Sequence, residues 1–140
     1  MKIALTLTAI SFVALSGVET LYGQDATYQV ASGGIIAMSA IIAGTFLWLW
    51  RVRATPLALG MSFSWSGSAL VLAWWWALAA RGVSTSMSDH PALMGFVAIY
   101  TTGAVLHFTV IEGSLGWPRH SGAVIPLLAF AASGLATWLI

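Results

Sequence analysis

The charges of this chain are nearly absent from its apolar stretches, and that distribution restricts its fold more than any motif does. The 140 residues include five Lys or Arg and four Asp or Glu, and 59% are hydrophobic. Globular domains in water carry roughly a quarter charged residues. Here the charges gather in short breaks, and each run between them approaches the ~20 residues that cross a bilayer. Backbone in hydrocarbon must satisfy every N–H and C=O internally, and long unbroken apolar runs do so as α-helix. The reading is therefore an all-α, polytopic transmembrane helix bundle. It forms a single domain over 1–140, with five spans at about 3–22, 28–50, 57–80, 91–112 and 122–140.

Local punctuation agrees with these spans. Gly23-Gln24-Asp25 ends the first, and Arg51 to Pro56 separates the second and third. Arg81-Gly82 stops the third. Asp89 is the expected N-cap of the fourth, with Pro91 in its first turn, where the missing N–H is harmless. Gly116-Trp117-Pro118 breaks the chain before the fifth, and Pro126 is expected near that helix's first turn. Lys2 followed by Ile3 to Leu15 has the order of a secretory leader, with Ala14-Leu15-Ser16 as a small-x-small site. A basic region of one Lys is thin for a leader, so this segment is expected to be a retained first span.

Lys and Arg mark the cytoplasmic side of polytopic proteins. With the N-terminus inside, Lys2, Arg51, Arg53 and Arg119 share the inner face and Arg81 alone lies outside. The expected topology is N-in, C-out, in a bacterial inner (cytoplasmic) membrane. Trp48 and Trp50 then mark the inner headgroup level. Tyr22, Tyr28, Trp74, Trp75, Trp76 and Trp138 mark the outer one. Three consecutive tryptophans sweep about 200° of helix surface and cannot all face one partner. They read as an interfacial anchor, or as an anchor of which one ring lines a ligand pocket.

Helices in lipid associate through small residues that let backbones approach. The second span carries Gly33, Ala37, Ala40 and Gly44, and the third carries Gly60, Ser64 and Gly67. These seams are expected to face each other, or one of them to face a second subunit. The third span also holds Ser62, Ser64, Ser66 and Ser68, whose hydroxyls can turn back onto carbonyls of their own helix.

A net charge of +1 gives no basic patch, which argues against nucleic acid as a partner. The absence of cysteine excludes disulfides and thiolate metal sites. No P-loop or Ser-His-Asp order is present, and no carboxylates share a helix face at metal-ligand or acid–base spacing. No metal site and no catalytic residue are assigned.

Ionisable groups within a span are costly and so are candidates for proton or substrate handling. They are Glu19, His107 and Glu112, with Tyr100 two turns before His107 on the same side. Glu19 is expected either neutral or paired with Arg81 or His90. Glu112 is expected to pair with Arg51, Arg53 or Arg119. Arg81, Asp89 and His90 would form an outer mouth. Gly103 and Ala104 beside His107 leave room for a flat group, so a tetrapyrrole or a quinone headgroup at His107 stands as an alternative to a structural histidine. No second histidine is placed to complete a bis-histidine haem.

Two functional classes follow. One is a non-catalytic subunit or homo-oligomeric component of a membrane complex, whose partners are lipid and other helices. The other is a proton, ion or small-solute transporter or channel using Glu19 in an outer half-path and His107 with Glu112 in an inner one.

Overall fold

The computed structural model describes residues 2–82 and 90–139. These form α1 (Lys2–Tyr22), α2 (Gln24–Arg53), α3 (Pro56–Ala80), α4 (Pro91–Leu115) and α5 (Ser121–Leu139). All five are long and apolar enough to cross a membrane.

The second helix runs beyond its expected limits at both ends. Its 30 residues extend about 45 Å at 1.5 Å per residue. Asp25 lies in its first turn and Arg51 and Arg53 in its last. An acid at the positive end and bases at the negative end complement the helix dipole, so these charges prolong the helix. The connection to α3 shrinks to Ala54, which is left-handed (φ 49°), and Thr55, which is extended ahead of Pro56. At the other end one residue, Gly23, separates α1 from α2. Its φ of 86° and ψ of 173° fall in a region essentially reserved for glycine.

Among the described residues, extensive contact exists only between helices adjacent in the chain, greatest for α3–α4 and least for α1–α2. Ser62 meets Ala43 and Trp76 meets Gln29, so α2 and α3 are antiparallel. Gly60 meets His107 and Gly67 meets Tyr100, so α3 and α4 are antiparallel too. Gly122 against Thr109 begins an antiparallel α4–α5 pair. On α3, Ser62 serves α2 while Gly60 and Ser64 serve α4. A two-residue offset is about 200° of rotation. The two neighbours thus lie on opposite sides of α3, and α2, α3 and α4 form a row one helix thick.

Such a row has little interior. The chain exposes 10044 Å², where a compact monomer of 14.8 kDa would expose about 7,000 Å². The first helix contains no buried residue.

The seams correct the sequence-based expectation. Gly60, Ser64 and Gly67 face α4, not α2. The second helix meets α3 through Ser39 and Ala43, which are buried, while Ala37, Ala40 and Gly44 are exposed. The true stripe lies one residue from the expected one, about 100° around the helix. Two bonds set this rotation. Ser62 Oγ donates to the Ala43 carbonyl at 3.0 Å, and Trp76 Nε1 donates to the Gln29 carbonyl at 3.1 Å. Ser62 thus bonds across helices and not back along its own. The Trp76 indole also lies 3.7 Å from where a Gly33 Cβ would stand, so this tryptophan packs a helix pair.

Two helix starts differ as well. Asp89 lies outside the described residues, and His90 is the N-cap of α4, its Nδ1 accepting from the Ala92 N–H at 3.2 Å. Pro126 sits in the second turn of α5, buried, where it removes one i→i−4 bond.

Close approach at α3–α4 yields a direct prediction. A Cβ on Gly67 would stand 2.5 Å from the Tyr100 backbone nitrogen, whereas a Cβ on Gly44 would meet nothing within 4 Å. Gly67→Ala should destabilise the chain by about 1–3 kcal/mol, as overpacking does. Gly44→Ala should be neutral or slightly stabilising, since alanine favours the helix by up to about 1 kcal/mol. Denaturant unfolding in detergent micelles measures both.

Candidate functional site

The residues singled out by sequence fall in three places. Tyr100 and His107 share the α3-facing side of α4 with Gly103, as helical spacing requires. Opposite them stand Gly67, Gly60 and Ser64 respectively. Each larger residue of one helix meets a small one of the other, so the backbones close together. A Cβ on Gly60 would lie 2.8 Å from the His107 backbone nitrogen, and one on Gly103 would collide with Ser64.

This geometry answers the question of space at His107. The room that Gly103 leaves is filled by α3 itself, so a tetrapyrrole has no slot on that side, and no ligation through His107 is derived. The imidazole stands edge-on to Phe108, with centroids 5.5 Å apart and planes at 81°. Its Nδ1 is buried with no hydrogen-bond partner among the described residues. His90 lies one residue before α4 starts, roughly 25 Å along the axis from His107. Among the described residues, no three His, Cys, Asp or Glu side chains cluster as metal ligands do.

Glu112 lies elsewhere. Five residues after His107, it is turned about 140° away, toward α5. Its Oε1 accepts from the His120 N–H at 3.0 Å, and its Oε2 from the Gly122 N–H at 2.9 Å and the Ser121 hydroxyl at 3.2 Å. The side chain thus caps the N-terminus of α5 from the end of α4, in place of the expected pairing with an arginine. The first N–H groups of a helix lack intrahelical partners and carry the positive end of its dipole, so a carboxylate suits both needs. The turn is closed by Gly116 (φ 64°) and by His120, held left-handed at φ 77°. His107 and Glu112 therefore do not share one path on α4.

Glu19 is exposed on α1, whose extensive contact is with α2 alone. That separates it from Arg81, at the end of α3, and from His90 before α4. Arg81 is exposed, and its backbone N–H closes the last turn of α3. Of the outer mouth, Trp74 stacks near His90 with centroids 5.2 Å apart and near Phe96 at 6.0 Å. The three tryptophans diverge as their 200° spread requires: Trp74 toward α4, Trp76 onto α2, and Trp75 42% exposed.

Tyr100 has a second environment that sequence spacing did not indicate. It borders a cleft of about 380 Å³ with Ser68, Leu72 and Val97. It also borders one of about 340 Å³ between α4 and α5. A third cleft, between α2 and α3, is lined by Ala40, Gly44, Ser66 and Leu70. Ser66 and Ser68 lie about 200° apart on α3. The α2–α3 cleft therefore opens on the face of the row opposite to Tyr100, and the expected α2 seam lines it.

The chain matches no protein-family model, no curated protein and no solved structure.

The role of Glu112 is open to direct test. Glu112→Ala should lower the unfolding midpoint and raise amide hydrogen exchange over residues 121–124, with α1 to α3 unaffected. Glu112→Gln retains an acceptor and loses the charge, so it should fall between wild type and alanine. Exchange unchanged in both variants would show that the cap does not hold α5.

Proposed function

We propose that the chain is a non-catalytic component of a membrane complex, a subunit or a homo-oligomer whose uncovered helix faces pack on other helices. One observation carries this reading. The row is one helix thick, with roughly 3,000 Å² more surface than a compact monomer of its mass would leave uncovered. Most of the first helix, Ala37, Ala40 and Gly44 of α2, and residues 127–139 of α5 are exposed among the described residues. Lipid can cover such faces, but small residues give lipid tails little to grip and let another backbone approach.

The distribution of ionisable groups supports the same reading. Glu19, His107 and Glu112 stand on α1, at the α3–α4 contact and at the α4–α5 turn. A proton or solute path needs them in sequence along one cavity. We place the chain N-in and C-out in a bacterial inner membrane, on the asymmetry of Lys2, Arg51, Arg53 and Arg119 against Arg81.

Native mass spectrometry from lipid nanodiscs tests the proposal. The chain should be released as a complex, with copies of itself or with other chains. In liposomes, Glu19→Gln and His107→Ala should leave proton and solute flux at the background of empty vesicles. A lone monomer with pH-dependent flux that either substitution abolishes would overturn the component reading in favour of a transporter.

A further inference from the structure

The α4–α5 cleft is a wedge. Its closed end is the Glu112-capped turn, where Gly122 packs on Thr109 and both Gly122 and Pro126 are buried. From Pro126 onward α5 separates from α4, and residues 127–139 are exposed. The opening, about 340 Å³, is lined by apolar residues such as Ala104, Phe108, Ala129 and Phe130, together with Tyr100 and Ser133. That volume falls at the lower end of the ~300–1,000 Å³ typical of small-molecule sites, enough for one ring with part of a tail.

The hydroxyls set this cleft apart from an ordinary lipid-facing groove. Thr101, Thr109 and Thr137 turn their hydroxyls onto carbonyls four residues earlier, which satisfies them in hydrocarbon. The Tyr100 and Ser133 hydroxyls make no hydrogen bond among the described residues, and a phenol has no reach to its own helix backbone. Tyr100 stands about 14 Å along α4 from Pro91, near the middle of a span. There no water is at hand, and an unmet donor costs several kcal/mol. Saturated tails fill the volume but accept nothing.

We infer that the α4–α5 cleft binds a lipid-soluble small molecule bearing a ring carbonyl, of the quinone class, whose oxygen accepts from Tyr100 and Ser133 while its tail leaves sideways into the bilayer. The inference rests on the membrane-spanning reading proposed above and requires no chemistry, only binding. It moves the carbonyl ligand from His107, where α3 fills the adjacent space, to the opposite flank of Tyr100.

The probe is a decyl-substituted benzoquinone, titrated into the chain in lipid nanodiscs and read by quenching of its eight tryptophans. Decylbenzene, which has the tail and a ring but no carbonyl, competes. Quenching should saturate. Tyr100→Phe should weaken binding about fivefold, the loss of one hydrogen bond. Ala129→Leu, which fills the wedge, should abolish saturation. Decylbenzene should displace the quinone poorly, and equally in wild type and Tyr100→Phe. Quenching that rises linearly and identically in Ala129→Leu is partition into lipid and overturns the inference. So does equal affinity for decylbenzene, which would mean apolar filling alone. A disulfide between Ala129→Cys copies would give the cleft to another subunit and overturn it likewise. Circular dichroism confirms that each variant remains helical. The assembly mass from nanodiscs is read separately, so an empty cleft in an intact complex refutes this inference and not the component reading.

Discussion

The close approach of α3 and α4 is the contact on which the rest of the structure depends. Apolar side chains gain nothing by leaving lipid for each other, so helices in a bilayer are held by backbone proximity and by polar bonds between helices. Gly60, Ser64 and Gly67 remove side-chain bulk from one surface, and Gly103 removes it from the other. The α2–α3 contact adds Ser62 to Ala43 and Trp76 to Gln29. The α4–α5 contact rests on Gly122 against Thr109 and on the Glu112 cap. The α2–α3 and α4–α5 junctions add polar bonds to backbone to their small residues, whereas the α3–α4 contact is described by close approach alone.

Placing α2 and α4 on opposite flanks of α3 has a consequence for chemistry. A row has two outer faces, and among the described residues the ionisable groups of different helices do not gather in one cavity. That separates Glu19, His107 and Glu112. It also leaves Tyr100 with two roles, its backbone on Gly67 and its side chain between two clefts. The shallow hold on α5, concentrated at its first six residues, opens the wedge on its flank.

Much of this was legible in the sequence because hydrocarbon imposes few choices. Apolar run length gave five helices, and the Pro56 and Pro91 starts agree with the spans expected. Charge placement misled at Asp25, Arg51 and Arg53, which read as loop but complete the turns of α2. The small residues Gly60, Ser64 and Gly67 of α3 do pack closely, but Ala37, Ala40 and Gly44 of α2 are exposed and Ser39 and Ala43 are buried in their place. The pairing of helices was not legible, since α3 carries two stripes about 200° apart and composition does not say which neighbour takes which. Glu112 was found as an ionisable group, but its partners are backbone N–H groups, which have no signature in side-chain sequence. The available hint was that α5 starts at His120-Ser121-Gly122 without a strong N-cap of its own. The second environment of Tyr100 depends on how α5 diverges from α4, and that no periodicity encodes.

Packing of this kind requires the helices to lie in lipid, and single-cysteine accessibility in intact membranes measures that directly. The natural chain has no cysteine, so each introduced thiol reports alone. Ile41 and Leu128 are 68% and 62% exposed on the isolated chain, and both lie well inside their helices. Cysteines there should resist a membrane-impermeant maleimide until detergent is added. A cysteine at Gln24 should react from one side of the membrane, and one at Ala54 or Trp117 from the other. Rapid labelling at positions 41 and 128 in intact vesicles would show these faces in water and would contradict the account.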